Sequence, residues 1–269
     1  MRTRKALVTG CCGFIGSHVT RQLLEDGWYV EGVDDLSAGD PSTLEGLEFR
    51  TVTDGVLHIY DQSAGIPMAG ELLVVTADFA SSAILERVTS GKYDVIFHLA
   101  ANPRVEYSVK FPALTTHTNV QKTVELMSAA INNIDRFVFA SSSACYGNVT
   151  QLPTPESSPT NPTSPYGLQK LVIEQFGEMY NALYGMDFAA LRFFNVYGPG
   201  QLGDSAYATA VSAWCTRLKN GDPLRSDGDG EQTRDMVYVK DVASAMLAAA
   251  NYQGTLGFKV YNVATGDSV

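Results

Sequence analysis

The sequence predicts an α/β fold in which helices cover both faces of a parallel sheet, and three observations support this prediction. Apolar strand-like runs alternate with helix-like runs, a glycine-rich turn follows the first strand, and candidate functional residues follow several strands. Near-continuous apolar strands separated by helices are typical of a parallel sheet that is buried on both faces. With 269 residues and 45% hydrophobic content, the chain can bury a full core. We therefore expect a doubly wound parallel sheet with a small C-terminal lobe.

Short apolar runs predict the strands of this sheet. In chain order they are Lys5–Thr9, Tyr29–Asp34, Leu72–Val75, Asp94–Leu99, Arg136–Ala140, Phe188–Phe194 and a final strand at about 258–264. Helical spacing of apolar residues predicts helices between them: one ends at Gly27, one contains Val120, Val124 and Met127, and one runs from Leu168 to Leu183.

Two segments depart from this alternation. Residues 50–71 lengthen the connection into the third predicted strand, and we expect them to form a hairpin of their own. Residues 148–165 are rich in Pro, Ser and Thr, a composition that is typical of a linker. Because a serine triplet precedes this segment and Tyr166 follows it, we interpret it as a loop packed beside a functional site.

The glycine-rich turn indicates a dinucleotide site. Gly10, Gly13 and Gly16 lie between the first strand and the first helix, whose amino terminus would receive the pyrophosphate. Their spacing is one residue off the commoner fingerprint for such sites. Asp34 ends the second strand, where a carboxylate can bind both adenosine ribose hydroxyls and repel a 2′-phosphate; Asp35 is the neighbouring candidate. The sequence therefore favours NAD over NADP.

A second motif indicates acid–base chemistry. Tyr166 and Lys170 lie four residues apart and would share one face of a helix, downstream of the triplet Ser141–Ser143. Bringing the pKa of a tyrosine from 10 to about 7 needs roughly 4 kcal/mol of preference for the phenolate. An ammonium at about 5 Å would supply roughly 3 kcal/mol at an effective dielectric constant of about 20. We expect Ser142 to hydrogen-bond the reacting oxygen. Such a pair alone would be a solvated surface pair, but here it accompanies the glycine turn.

The candidate residues share a location in the predicted sheet. Ligands of open parallel sheets bind beyond the carboxyl ends of the strands. Six candidates fall there: Gly10, Asp34, Asp78, Ala100, Ser142 and Asn195. We therefore expect them to line one site.

Charge and hydropathy narrow the range of partners. The net charge of −10 argues against nucleic acid, so an anionic substrate would need local arginines, and Arg192 and Arg234 are the candidates. No run approaches 18 apolar residues, and the start of the chain enters a strand without a signal-type segment. We expect a cytoplasmic protein with no membrane partner.

The four cysteines indicate no metal site and no disulfide framework. Cys11 and Cys12 are adjacent within the glycine turn, whereas Cys145 and Cys215 are isolated in the sequence. We expect all four to be small buried residues.

Seven motifs together resemble a known family. They are Thr9–Gly16, Val33–Ser37, His98–Ala101, Ser141–Gly147, the pair Tyr166 and Lys170, Arg192–Pro199 and Gly228–Asp235. In this order they resemble the extended short-chain dehydrogenase/reductases, which have a Rossmann-type fold. The pattern is nearest to the NAD-dependent nucleotide-sugar epimerases and dehydratases, especially UDP-galactose 4-epimerase.

This resemblance implies a role for each site residue. The catalytic residues would be Ser142, Tyr166 and Lys170, with Ser143 replacing Ser142 if the register shifts by one. The expected NAD-binding residues are Gly10, Gly13, Phe14, Ile15, Gly16, Asp34, Asp35, Ser37, Asp78, Phe79, Leu99, Ala100, Ala101, Asn119, Tyr166, Lys170 and Phe194. The residues expected to bind a nucleotide-sugar substrate are Ser142, Ser143, Asn195 and Arg234.

The resemblance also implies the reaction and the domain organisation. The reaction is inversion at C4 of a nucleotide-diphosphate hexose of the UDP-glucose or UDP-galactose type, through a transient 4-keto sugar. Residues 1–180, with strands at about 188–195 and 258–264, would form the NAD-binding domain, and residues 196–257 an interleaved substrate lobe. Relatives pair through the helices that correspond to those containing Val120 and Tyr166, which implies a homodimer. They usually continue several dozen residues further, so we expect a truncated lobe.

Three alternative functions stay open within this resemblance. Sugar dehydratases carry acids where Ser143 and Ala144 stand here, so this chain lacks their proton donor for water loss. A 4-keto-sugar reductase would consume external cofactor. A non-catalytic NAD-binding sensor or scaffold often loses the Tyr, the Lys or the glycines, and all of these are present here.

Overall fold

A computed structural model describes residues 2–59, 68–203, 210–224 and 229–269 of the chain. Within these ranges, eight parallel strands form the central sheet in the order β10-β7-β6-β5-β1-β2-β4-β3. Its strands are β1 (Lys5–Thr9), β2 (Tyr29–Asp34), β3 (Phe49–Thr53), β4 (Leu72–Thr76), β5 (Val95–His98), β6 (Arg136–Ser142), β7 (Phe188–Phe193) and β10 (Phe258–Val263). A separate parallel pair consists of β8 (Asn195–Tyr197) and β9 (Met236–Tyr238).

Helices cover both faces of the sheet. The α-helices are α1 (Phe14–Glu25), α2 (Ser82–Thr89), α3 (Val105–Lys110), α4 (Pro112–Thr116), α5 (Lys122–Ala130), α6 (Pro165–Tyr184), α7 (Ala210–Asn220) and α8 (Val239–Asn251). Shorter turns are a π-helix at His117–Gln121 and 3₁₀ turns at Pro41–Leu44, Asp54–Val56 and Ser143–Cys145. None of the described helices is long and apolar enough to cross a membrane.

The sheet separates two hydrophobic cores because successive strand residues point to opposite faces. Val8 packs with Val19 and Met246 in the core beneath α1 and α8, whereas Leu7 packs with Ile84 and Ile173 in the core on the other face. All six side chains are fully buried. Burial of a side chain of this size contributes roughly 1.5–3 kcal/mol, so these two cores hold the strand ends in place.

Strand order places the functional crevice. β1 pairs with β2 on one side and with β5 on the other, so the chain reverses its direction of winding at β1. In open parallel sheets, ligands bind at such a reversal, outside the carboxyl ends of the strands. The residues that follow β1, β2 and β5 therefore border one crevice.

The predicted fold class is confirmed, and every predicted strand overlaps an observed strand. The predicted hairpin in residues 50–71 is wrong where the chain is described, because Phe49–Thr53 forms the edge strand β3 and pairs in parallel with β4. Its side chains are mostly exposed, so it lacks the apolar run of a buried strand. Residues 60–67 of this segment lie outside the described residues.

The Pro-rich segment packs against the sheet, as expected. The Asn262 amide side chain on β10 donates to the Thr154 carbonyl at 2.8 Å, and its backbone N–H donates to Glu156 at 2.9 Å. The segment ends at Ser164, whose hydroxyl accepts the Gly167 N–H at 3.1 Å and caps α6. The loop therefore leads directly into the helix that carries Tyr166.

The range assigned to the lobe, residues 196–257, contains helices with two different surroundings. Helix α8 packs against α1 beneath the main sheet, and Gln22 donates to Ser244 between them at 3.1 Å. Helix α7 instead borders a cavity of about 380 Å³ beside the β8 end, lined in part by Tyr197, Gln201 and Lys219.

Candidate active site

The glycine turn closes on itself after β1. Gly10 has a φ of +73°, and a Cβ placed there would lie 2.9 Å from the Ala100 backbone nitrogen after β5. A Cβ at Gly16 would lie 1.9 Å from the Gly10 carbonyl oxygen, so this turn requires glycine at both positions. Gly13 caps α1 and offers no side chain to its first N–H groups. These donors and the helix dipole suit a pyrophosphate.

Asp34 lies at the end of β2 beside this turn. One carboxylate oxygen accepts the Cys12 N–H and the other accepts the Leu36 N–H, each at 2.9 Å. Burial raises the pKa of Asp34 above its ordinary value, although these hydrogen bonds oppose the shift. The next predicted residues face solvent: Asp35 is exposed and accepts from the Ser37 backbone N–H and hydroxyl. Asp34 is therefore the better candidate for a ribose contact.

The end of β5 lies against the same turn. The Thr9 hydroxyl oxygen accepts the N–H groups of Leu99 at 3.2 Å and Ala100 at 3.1 Å, and Thr9 also hydrogen-bonds His98 at 2.7 Å. Leu99, Ala100 and the following Ala101 are only partly buried. They therefore border the crevice between β1 and β5, as predicted for residues that line a cofactor.

Asp78 and Phe79, predicted beside the adenine, follow β4. Asp78 forms an ion pair with Lys122 and accepts the Ala80 N–H at 2.9 Å. The Phe79 ring is buried against the His98 ring, with the ring centroids 4.9 Å apart.

Asn119 is buried and fully hydrogen-bonded. Its side chain accepts the Asn102 N–H at 2.7 Å and donates to the Asn102 carbonyl and to Gln169. Gln169 in turn donates to Thr115 at 2.9 Å. In this structure Asn119 thus joins the loop after β5 to the helix of Tyr166.

Tyr166, Ser142 and Lys170 come together between β6 and α6. The Ser142 hydroxyl accepts the Ala144 N–H at 3.2 Å and lies close enough to the Tyr166 phenol to influence its pKa. The Lys170 ammonium donates to the Ala140 carbonyl at 2.7 Å and lies 5.8 Å from the centroid of the Tyr166 ring. The side chains of Tyr166 and Lys170 share one face of α6, as their spacing predicts. Ser143 begins the following 3₁₀ turn, so the geometry favours Ser142.

The protonation of this pair differs from the sequence expectation. Burial raises the pKa of Tyr166 to about 12, although the Ser142 hydrogen bond lowers it. Burial also lowers the pKa of Lys170 to about 8. In the protein alone, burial therefore dominates the pKa of Tyr166, and its lowering by Lys170 together with bound NAD stays a prediction.

A buried carboxylate supports the catalytic strand. Glu174 lies one helical turn beyond Lys170 and accepts hydrogen bonds from the Ser141 hydroxyl at 2.5 Å and from Arg192 at 2.9 and 2.5 Å. Arg192 is 4% exposed and its guanidinium carbon lies 4.5 Å from the Tyr146 ring centroid. The suggestion that Arg192 binds an anionic substrate is therefore wrong. It neutralises Glu174 inside the protein instead.

Asn195 and Arg234 lie side by side near the β8–β9 pair. Asn195 donates to the Asp235 carbonyl from its backbone at 3.2 Å and from its side chain at 2.9 Å. The Arg234 side chain is exposed and donates to the Thr233 carbonyl at 2.7 Å. Phe194, the predicted cofactor contact, is partly buried and its N–H donates to the Val263 carbonyl.

Sequence reasoning missed several supporting residues. The hydroxyls of Thr9 and Ser108 position backbone segments of the site: Thr9 accepts the Ala100 N–H, and Ser108 accepts the Tyr166 N–H at 3.1 Å. No local sequence pattern marks either residue. Glu174 could have been found, because it continues the face of Tyr166 and Lys170 at a spacing of four. The expectation of four buried cysteines holds for Cys11, Cys12 and Cys145 but is wrong for Cys215, which is exposed on α7.

The comparisons agree with this geometry. The family model described as the NAD dependent epimerase/dehydratase family matches residues 6–264. UDP-glucose 4-epimerase of Mycolicibacterium smegmatis is 35% identical over 264 residues, covering 97% of this chain and 77% of the relative.

Two solved structures share the fold. UDP-N-acetylglucosamine 4-epimerase from Methanobrevibacter ruminantium M1, in complex with UDP-N-acetylmuramic acid, has a TM-score of 0.85 and 34% identity, covering 100% of this chain and 79% of its own. UDP-glucuronic acid 4-epimerase from Bacillus cereus, in complex with UDP-glucuronic acid and NAD, has a TM-score of 0.80 and 28% identity. The match covers 98% of this chain and 79% of the chain of that structure. The chain belongs to the NAD-dependent epimerase/dehydratase family.

Proposed function

We propose that this chain is an NAD-dependent epimerase that inverts C4 of a UDP-hexose of the glucose or galactose type. The observation that carries the proposal is the grouping of Tyr166, Ser142 and Lys170 between β6 and α6, with the Lys170 ammonium 5.8 Å from the centroid of the Tyr166 ring. This group lies at the carboxyl end of β6, which pairs with β5 next to the glycine turn. The match to UDP-glucose 4-epimerases over nearly the whole chain supports the substrate class.

The residues around the crevice fit the dinucleotide. Gly10, Gly13 and Gly16 would hold the pyrophosphate at the α1 amino terminus, and Asp34 would bind the adenosine ribose. Bound NAD supplies a reversible hydride acceptor and a positive charge beside the phenol. The N–H groups at the start of α1 and the Asp34 carboxylate are therefore already in position for the dinucleotide.

Tyr166 would act as the base that removes the proton from the sugar C4 hydroxyl and later returns it. Ser142 would hydrogen-bond the same sugar oxygen, since its hydroxyl lies near the phenol. The Lys170 ammonium, held by the Ala140 carbonyl, would stabilise the phenolate. Because rotation of the keto sugar would present the opposite face of C4 to the cofactor while its C4 oxygen stays beside Tyr166, one tyrosine would serve both directions.

The residues in and around the 3₁₀ turn Ser143–Cys145 favour epimerisation of the sugar over its dehydration. Water loss needs an acid beside the reacting sugar, and Ser143 and Ala144 follow Ser142 here. The nearby carboxylate of Glu174 is already bonded to Arg192 and Ser141. It therefore cannot serve as a proton donor without breaking a buried ion pair.

Recognition of the diphosphate would depend on Arg234 and Asn195. With a net charge of −10, the chain as a whole repels an anionic ligand, so attraction must be local. The exposed guanidinium of Arg234 can form charge-assisted hydrogen bonds with phosphate oxygens. Its neighbour Asn195 is already anchored to Asp235 and would fix the orientation of the substrate.

The test is conversion without added cofactor. The purified chain, incubated with UDP-glucose, UDP-galactose, UDP-N-acetylglucosamine or UDP-glucuronic acid, should interconvert one C4 pair with no net NADH formation, as followed by NMR. Net oxidation or reduction of NADH in step with product would support a reductase instead. Loss of a water molecule from the sugar would support a dehydratase.

We also propose that the chain forms a homodimer through α6 and the helical segment that contains Val120, together with the adjoining α3 and α4. These helices expose large apolar side chains: Val109 at 62%, Leu114 at 50%, Leu168 at 52% and Leu183 at 63%. Leu183→Glu should give a monomer by light scattering, whereas Leu218→Glu on α7, 64% exposed, should not change the mass. A monomeric parent protein would contradict this proposal.

A further inference from the structure

Two thiols and one carboxylate meet inside the glycine turn. The Cys11 and Cys12 sulfur atoms lie 3.8 Å apart, and an Asp34 oxygen completes a group whose ligand atoms all lie within 4.8 Å of one another. Cys11 and Cys12 are almost fully buried and Asp34 is 8% exposed. We propose that this group, here called the turn thiol site, binds a thiophilic divalent cation such as Zn²⁺ or Cd²⁺ in competition with the dinucleotide.

The sulfur separation suits a tetrahedral metal ion. With Zn–S bonds of about 2.3 Å and tetrahedral angles, two thiolates lie about 3.8 Å apart. The Cys11 and Cys12 sulfur atoms already have this separation. With a Zn–O bond of about 2.0–2.2 Å, the carboxylate oxygen would lie about 3.5 Å from each sulfur, so a side-chain adjustment of roughly 1 Å completes the set.

The groups around the site hold its ligands in place. Asp34 accepts the Cys12 N–H, and the Cys12 carbonyl accepts the Asp40 N–H at 3.0 Å and the Thr43 hydroxyl at 3.1 Å. On the other side, the Cys11 sulfur packs against Gly32, where an added Cβ would lie only 2.6 Å away. Hydrogen-bonded and sterically fixed ligands lower the cost of organising a metal site.

Occupation of this site would conflict with cofactor binding. The Asp34 carboxylate is the group proposed to bind the adenosine ribose, so a metal ion on this carboxylate would compete with the ribose hydroxyls for it. Binding would release up to two protons to solvent, because both thiols must become thiolates. The competition rests on the proposed cofactor role of Asp34, whereas binding of the metal does not. The spacing of the cysteines alone did not indicate this site, because Asp34 lies 22 positions after Cys12.

Direct titration tests the site. The full chain, freed of NAD, should bind one equivalent of Cd²⁺ with the ultraviolet absorption of a cadmium–thiolate bond. Cys12→Ser should weaken this binding by about 100-fold or more, since loss of a ligand costs at least as much as loss of an outer contact. Cys215→Ser is the control, because that thiol is exposed on another element, and it should keep the full signal.

Three results would overturn the proposal. They are the absence of a thiolate signal in the parent protein, an undiminished signal in Cys12→Ser, and loss of the signal in Cys215→Ser. A thermal melt of Cys12→Ser equal to that of the parent would show that the variant folds, and Cys11→Ser provides an independent second variant.

Competition is measured separately. Saturating NAD should raise the apparent Kd for Cd²⁺ by at least about tenfold, as expected when two ligands share one group. An unchanged Kd would show that the metal and NAD bind independently, which would overturn the competition. Failure of the epimerase assay alone would leave the metal titration unaffected, so the two proposals can fail separately.

Discussion

The candidate site has a buried half around α6 and an exposed half near β8 and β9, and the two halves differ in how their charged side chains are stabilised. Around α6, Lys170 and Glu174 are at most 4% exposed, and each charged group has a fixed partner. Near β8 and β9, the Arg234 side chain is exposed, and the hydrogen bond it forms in the structure goes to the backbone carbonyl of Thr233. The buried half is organised before any ligand arrives, as electrostatic catalysis requires. The exposed half can adapt to a substrate, but each of its ionic contacts contributes less free energy because water surrounds it.

The largest effect should come from the phenol. Tyr166→Phe should lower kcat by about 10²–10⁴-fold, because the base is lost while the ring still packs. NAD binding and the melting temperature should stay near those of the parent. Tyr180→Phe is the matched control, since its hydroxyl contacts only the exposed Ser128 on the same side of the fold. Equal activity of Tyr166→Phe and the parent would place the chain among cofactor-binding proteins without turnover.

The next effect tests the buried pair. Glu174→Ala should destabilise the fold by about 3–5 kcal/mol in urea unfolding, because Arg192 would remain buried without its counterion. Glu71→Ala, which removes the half-buried partner of the exposed Arg50 at 3.9 Å, should cost less than about 1 kcal/mol. The double variant Glu174→Met, Arg192→Met should recover part of the loss. Similar costs for the buried and exposed pairs would break the comparison between the two halves.

The same contrast explains what the sequence could predict. The strands and the glycine turn were predicted because apolar runs and glycine spacing are local patterns. The edge strand β3 was missed because its residues are mostly exposed, and the pairing of Glu174 with Arg192 was missed because it joins different elements. The rise that burial causes in the pKa of Tyr166 was not predicted, because burial cannot be seen in a charge pattern. The residues of the site were therefore more predictable than their electrostatics.

A smaller effect concerns pH. Burial lowers the pKa of Lys170 from 10.5 to about 8, so the folded state loses this proton before the unfolded state does. Between pH 8 and 10.5 the unfolded state binds more protons at this site, and stability should rise with pH relative to a variant without the amine. The gain should approach about 3 kcal/mol.

The measurement is the difference in unfolding free energy between the NAD-free parent and Lys170→Met at pH 7.5, 9 and 10. Other titrating groups cancel in this difference, and Lys122→Met, on a partly exposed ion pair, is the control that should show little trend. If the unfolding free energies of the parent and Lys170→Met changed in parallel with pH, the Lys170 amine would be solvated. The contrast between the buried and exposed halves of the site would then be lost.

The smallest effect should come from the exposed half. Arg234→Ala should raise KM for the UDP-hexose by roughly 10–100-fold with a much smaller change in kcat, since a hydrogen bond to a charged group contributes about 1.5–3 kcal/mol. Arg217→Ala, a half-buried arginine on α7 that donates to the Pro223 carbonyl, should leave KM nearly unchanged. If Arg234→Ala instead lowered kcat as strongly as Tyr166→Phe, the exposed half would take part in the chemical step, and substrate binding and catalysis could not be assigned to separate halves of the site.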